Sequence, residues 1–184
     1  GYDHRYGKGR QGDFKLLEKM APQFNFEVIE INEKIIEQVT ISSTKIRDAL
    51  LDGDLKTAEE YLGYPYSFTG TVVTGNKLGR TIGYPTANIK IDDEDKLIPQ
   101  NGVYAVDAIL HDNDFTEKTI KGMMNIGLRP TVEGTQRTIE VNLFDFDKEI
   151  YGQSISIIFT YRLRNEIKFD GLDALKLQLA KDKI

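Results

Sequence analysis

The chain has 184 residues, 40% of them hydrophobic, enough for one medium domain or two small ones with a real core. A formal net charge of −5 leaves no basic excess to displace counterions from a nucleic acid, so that class of partner is set aside. The absence of cysteine excludes disulfides, thiolate metal sites and a cysteine nucleophile, and suits a reducing, cytoplasmic compartment. No apolar run approaches the roughly 20 residues needed to cross a bilayer, and the N-terminus lacks the charged-then-apolar pattern of a signal peptide. The abrupt opening Gly1-Tyr2-Asp3-His4-Arg5 reads as part of a longer protein.

Helical spacing comes first. Phe14, Leu17 and Met20-Ala21 recur every three to four residues after Asp13, a good N-cap. Phe26 to Ile31 alternates and is rich in β-branched residues, so it is expected to form a strand. Ser42 or Ser43 caps a helix to Leu51 closed by Gly53, and a second helix runs from Leu55 to Leu62 before Gly63. Alternating helix and strand suggest the last third of an α/β unit.

From Tyr66 the period changes to two. Phe68–Thr74, Ala87–Ile91, Val103–Leu110, Thr119–Ile126, Thr138–Phe144 and Ser154–Leu163 read as six strands between Gly, Asn, Asp and Pro turns. So many strands in so short a stretch close most economically into a barrel, which leaves no unpaired edge. The expectation is a mainly β fold, a six-stranded antiparallel Greek-key barrel. A final helix follows Asp170 as N-cap, with Leu172, Leu175 and Leu179 in an apolar stripe.

The segment richest in chemistry is Gly75-Asn76-Lys77-Leu78-Gly79-Arg80-Thr81-Ile82-Gly83-Tyr84-Pro85-Thr86-Ala87-Asn88. Its spaced glycines allow backbone amides to approach an anion, and Lys77 and Arg80 add charge. It is neither a Walker A loop nor a dinucleotide fingerprint, because strands flank it. A long solvated hairpin loop is the plain alternative. Thr86 and Asn88 alternate onto one face and offer a hydroxyl and an amide oxygen to a hard cation such as Mg²⁺. In Thr138-Ile139-Glu140-Val141-Asn142-Leu143, Glu140 and Asn142 share the face opposite the apolar residues. The acidic run Asp92-Asp93-Glu94-Asp95 lacks the glycine and spaced ligands of a calcium loop and reads as solvated.

The run Gly79 to Asn88 resembles the signature of riboflavin kinases. Asn125-Ile126-Gly127-Leu128-Arg129-Pro130-Thr131, the Glu140 strand and Arg162-Leu163-Arg164-Asn165-Glu166-Ile167-Lys168-Phe169-Asp170-Gly171-Leu172-Asp173-Ala174-Leu175 resemble that family's later motifs in order. The matches span nearly all of Tyr66 to Ile184. The resemblance implies ATP as co-substrate, Mg²⁺ or another divalent ion held at Thr86 and Asn88, and Glu140 as catalytic base. It implies nucleotide contacts from Gly75, Gly79, Arg80, Gly83, Pro85, Thr86 and Asn88. Riboflavin or FMN would lie against Asn125, Gly127, Arg129, Thr131, Arg162, Arg164, Glu166, Phe169, Leu172 and Leu175.

Gly1 to Asp13 and Ile41-Ser42-Ser43-Thr44-Lys45-Ile46-Arg47 are similar to the end of the adenylyltransferase half of bacterial bifunctional riboflavin kinase/FMN adenylyltransferases. The upstream His-containing motif of that half is not in the sequence. Residues 1–64 are therefore expected to be a remnant of a Rossmann-like nucleotidyltransferase domain and 65–184 a riboflavin kinase domain, acting as a monomer with no nucleic acid or membrane partner. A non-catalytic flavin- or nucleotide-binding barrel is the alternative. His4, Ser43, Thr44 and Arg47 would touch phosphate only in a complete transferase domain; otherwise they serve as surface and helix-capping residues.

Overall fold

The computed structural model describes residues 5–30, 35–36, 39–75, 78–111, 119–131 and 134–183. The chain divides into two compact units, Gly1–Ser43 and Thr44–Ile184.

In the first unit a 3₁₀ turn, Lys8–Arg10, precedes helix α1, Phe14–Phe24. Asp13 caps α1 as expected, its Oδ1 accepting the Leu16 N–H at 3.0 Å, and Arg5 pairs with its other carboxylate oxygen at 3.1 Å. Asn25 ends the helix in the left-handed region, and Phe26 N–H still bonds back to Ala21 O at 3.3 Å. The expected strand at Phe26–Ile31 is not formed over 26–30, and Ile31 lies outside the described residues. A strand needs a partner, and Phe26 to Glu30 find none among the described residues; Ile29 is 76% exposed. Instead β1, Ile35–Ile36, pairs antiparallel with β2, Val39–Thr40. His4 also lies outside the described residues.

In the second unit, helices α2, Ser43–Asp52, and α3, Leu55–Leu62, pack onto the barrel. Ala49, Leu50, Leu55 and Ala58 join its core, and Leu50 O accepts the Gln100 N–H at 3.0 Å. Gly53 and Gly63 take the left-handed conformations that stop the two helices. Asp54 caps α3: hydrogen bonds from Thr57 hold its carboxyl below the ordinary value, against the opposing effect of burial.

Six strands follow: β3, Ser67–Val73; β4, Ala87–Lys90; β5, Gly102–His111; β6, Thr119–Thr131; β7, Gly134–Leu143; and β8, Ser154–Arg164. They close in the order β3-β4-β7-β6-β5-β8, every pair antiparallel. β5, β6 and β7 form a meander and β8 returns beside β5, the Greek-key arrangement. Alternation sends Phe68, Val72, Tyr104, Val106, Met124, Val141, Ile155, Ile157 and Phe159 inward. Phe159 meets Tyr104 edge-on at 5.1 Å and Phe68 at 5.8 Å between ring centres. Burial lifts the Tyr104 hydroxyl above its ordinary pKa while the nearby Arg162 pulls it down; burial also pushes the Tyr66 phenol up to about 12, its O–H donating to Leu97 O.

β6 and β7 run further than their apolar pattern indicates, pairing from Gly122–Leu143 out to Thr131–Gly134. A short helix, α4, Leu78–Thr81, sits inside the glycine-rich loop. The terminal helix α5, Leu172–Asp182, starts after an extended Gly171 and not after an Asp170 side-chain cap.

Candidate active site

Because Ile139, Val141 and Leu143 point into the barrel, Glu140 and Asn142 face outward from the middle of β7. They are nonetheless shielded: the Glu140 side chain is 16% exposed and Asn142 is buried. What covers them is the glycine-rich flap on one side and the chain after β8, with α5, on the other. Between these walls lies a cavity of about 230 Å³.

The flap is built by hydrogen bonds that return to Gly79. Its carbonyl accepts the N–H of Ile82 at 3.2 Å and of Tyr84 at 2.9 Å, and Gly83 turns the chain at φ 82°. A Cβ on residue 79 would collide with the Tyr84 carbonyl, so glycine is required there by space. Ile82 is buried and anchors the flap beside the cavity, while Arg80 points to Glu149 at 4.0 Å with both side chains well exposed. Pro85 leads into β4, and Asn142 Nδ2 donates to Pro85 O at 2.6 Å, fixing the strand entry where Thr86 stands.

Thr86 and Asn88 come to Glu140 from this strand. Asn88 is the register partner of Glu140, and the Thr86 hydroxyl donates to Glu140 Oε2 at 3.3 Å. The other carboxylate oxygen accepts the Arg129 guanidinium in an ion pair from β6. Glu140 is therefore held at both oxygens, by a hydroxyl on one side and a cation on the other. Thr86 borders both the 230 Å³ cavity and an adjoining recess of about 380 Å³, which Arg80, Phe146, Ile150 and Tyr151 help to line. Gly75 lies against the Asn88 side chain in a third recess, of about 580 Å³, that also reaches Arg129.

The residues expected to surround a flavin divide into two groups. Asn125, Arg129, Arg164, Glu166, Phe169 and Leu175 line the 230 Å³ cavity. Gly127 supports it, since a Cβ there would strike the Glu166 carboxylate, to which Asn125 donates at 3.4 Å. Arg162 stands elsewhere: it donates to Asn101 O at 2.9 Å and Asn165 Oδ1 at 2.7 Å and packs against Gly53. Leu172, 48% exposed at the start of α5, does not line the cavity. Thr131 ends β6 opposite Gly134, and its side chain lies outside the described part, as does Lys77. Motif reading passed over Ile82, Tyr84, Met123, Ile167 and Leu179 as cavity walls and the 146–151 segment as the wall of the adjoining recess. Leu179 was legible as part of the apolar stripe of α5; the others carry no period that marks them.

A closed antiparallel barrel with this flap and carboxylate-centred cavity belongs, by comparison with known proteins, to a class of phosphotransferases. The chain is a member of the riboflavin kinase family, whose description matches residues 62–184, while residues 1–45 match FAD synthetase. It is 44% identical over 182 residues to a bifunctional riboflavin kinase/FMN adenylyltransferase of Haemophilus influenzae, covering 99% of this chain and 57% of that protein. The Escherichia coli K12 protein of the same description is 42% identical over 184 residues, covering 100% of this chain and 57% of its own. The chain thus spans a little over half the length of the curated relatives it matches. A solved structure described as a macrolide-efflux protein from Streptococcus pneumoniae aligns over 99% of this chain and 57% of its own, with a TM-score of 0.83 and 37% identity. Among the described residues no helix is long and apolar enough to cross a membrane.

Proposed function

We propose that the barrel transfers the γ-phosphoryl group of ATP to the 5′-hydroxyl of riboflavin, giving FMN and ADP. The observation that carries this reading is the convergence of Thr86 and Asn88 on Glu140 at the β4–β7 pairing, with Thr86 and Glu140 lining the 230 Å³ cavity and Asn88 opening on the neighbouring recess beside Gly75. Phosphoryl transfer asks mainly for alignment, charge neutralisation and a proton acceptor. Glu140 accepts the proton as the hydroxyl oxygen bonds to phosphorus and ADP leaves with the former bridging oxygen. Its two contacts orient it, and its low exposure keeps water from competing.

Riboflavin is assigned to the cavity bordered by Asn125, Arg164, Glu166, Phe169 and Leu175, a largely apolar space with a few polar groups for orientation. The nucleotide takes the flap side, where Gly75, Gly79, Arg80, Gly83 and Pro85 shape the approach to Thr86 and Asn88. The donor set suits a hard divalent ion. Thr86 and Asn88 supply neutral oxygens beside a carboxylate, and no cluster of three His, Cys, Asp or Glu that would hold a metal alone occurs among the described residues. Thr86 and Asn88 would hold Mg²⁺, and the ion would supply charge neutralisation for the transferred phosphoryl group.

Residues 1–64 are read as the end of an adenylyltransferase domain. The conversion of FMN to FAD named for the bifunctional relatives is assigned to a polypeptide that carries that domain whole. A monomeric, cytoplasmic enzyme accords with the cysteine-free composition and closed barrel. The test is direct: the purified chain with riboflavin, ATP and Mg²⁺ forms FMN and ADP in equal amounts. Flavin binding without phosphate transfer would identify a binding barrel and overturn the proposal.

A further inference from the structure

α5 forms one wall of the cavity, yet it is poorly held by apolar packing. None of its described residues is buried, and Leu172 and Leu177 are 48% and 69% exposed. What secures its far end is polar. Arg164, the last residue of β8, donates from Nε to both oxygens of Asp182 at 3.0 Å and from Nη2 to Oδ2 at 2.6 Å. Gln178 adds a bond to Asp182 Oδ1 at 2.8 Å, and Arg164 Nη1 also holds Asn165 O at 3.0 Å. The two charged side chains are only 16% and 5% exposed, so the pair is shielded from solvent in a way that surface pairs are not. Lys183, next in the chain, lies over the Phe144 ring at 5.2 Å.

This bridge closes the chain from 165 to 181 into a loop pinned at both ends. Within that loop stand Glu166, Ile167, Phe169, Leu175 and Leu179, the whole of the cavity wall opposite the flap. Arg164 itself reaches the cavity, whereas Asp182 does not line it. We infer that Asp182 is a positioning residue for the flavin pocket: through Arg164 it fastens α5 to the barrel and so sets the shape of the wall, without touching ligand or reacting atoms. The inference rests on the reading of this cavity as the riboflavin site. Because Asp182 acts at a distance from Glu140, its loss weakens flavin capture and leaves the transfer step intact once the pocket is filled.

The experiment compares the full chain with Asp182→Ala and Asp182→Asn by riboflavin fluorescence titration, steady-state kinetics and amide exchange. Asp182→Ala is expected to raise the riboflavin Kd and KM more than tenfold, and Asp182→Asn, which keeps an acceptor, by less. In both, kcat at saturating riboflavin and the KM for ATP stay within about twofold. Amides of 172–181 exchange faster while those of β3 to β8 do not change. A riboflavin KM within twofold of the parent in both variants overturns the proposal, as does a fall in kcat with unchanged KM. Loss of barrel protection together with α5 overturns it too, since the fastening is then not local. If the unsubstituted chain fails to bind riboflavin, the functional reading falls separately, and the exchange data still decide whether Asp182 fastens α5.

Discussion

Glu140→Gln separates basicity from geometry at the centre of the site. Glutamine retains the shape and keeps an oxygen to accept the Arg129 guanidinium, while its amide N–H₂ faces the Thr86 hydroxyl, which can accept where it formerly donated. The contacts survive and only the capacity to take a proton is lost. On stability the cost is small: Arg129 is 41% exposed and rehydrates readily, so losing the charge on its partner amounts to about 1 kcal/mol or less. For a chain of this size that is a melting shift of about 2–4 °C. On the chemical step, removal of a positioned general base costs roughly 10²- to 10⁴-fold, or about 3–5 kcal/mol. The two effects differ enough to be read apart. FMN formation at saturating ATP, riboflavin and Mg²⁺, measured beside a thermal melt and a flavin titration, should show kcat falling at least a hundredfold with binding within a few-fold. A variant that turns over within about tenfold of the parent refutes the assignment of Glu140 as base, whatever its stability.

Three further outcomes follow from other parts of the molecule. Gly79→Ala puts a methyl group against the Tyr84 carbonyl and must open the flap turn, so the KM for ATP should rise tenfold or more while the melting temperature stays within about 3 °C, because the flap lies outside the core. A chain beginning at Pro65 loses, relative to one beginning at Thr44, the burial of Leu50 and Leu55, worth about 3–6 kcal/mol at 1.5–3 for each side chain, a deficit that urea titration would report. At Asp182, burial works to raise the carboxyl pKa, but hydrogen bonds from Arg164 and Gln178 and the charge of Arg164 outweigh it and leave it below the ordinary value of 3.8. A depressed carboxylate contributes its stability above the unfolded value and loses it as pH falls through the folded one, so protection of α5 amides should be flat from pH 7 to 5 and decline only below about 3.8.

What the sequence revealed follows the physics of each element. The six strands were legible because half of every strand faces a closed core, which imposes alternation on residues such as Ile155, Ile157 and Phe159. The outer ends of β6 and β7 were not, because Leu128 to Thr131 pair with Gly134 to Arg137 in a hairpin whose described side chains are largely exposed, Leu128 at 52%, so that burial there imposes no alternation. Phe26 to Glu30 shows the converse, a strand-like run that stays unpaired among the described residues because propensity expresses packing against a neighbour. The four residues of α4 are too few to display a helical period.

The same logic explains why some residues of separate motifs come together in space and others do not. Glu140, Thr86 and Asn88 meet because strand register is a discrete property: one pairing of β4 with β7 brings all three together, and a slip by one residue would turn Glu140 into the barrel. Arg162 and Arg164, two apart on β8, should by strict alternation face the same way. β8 pairs with β5 through register shifts between Val103 and Tyr104 and between Ala105 and Val106, and such irregularities add local twist. Arg162 therefore turns to Asn101 and Gly53, while Arg164 reaches Asp182 and the cavity. Two arginines that a sequence motif makes equivalent are divided by backbone geometry into one that ties the α2–α3 turn to the barrel and one that joins the cavity wall to the terminal helix.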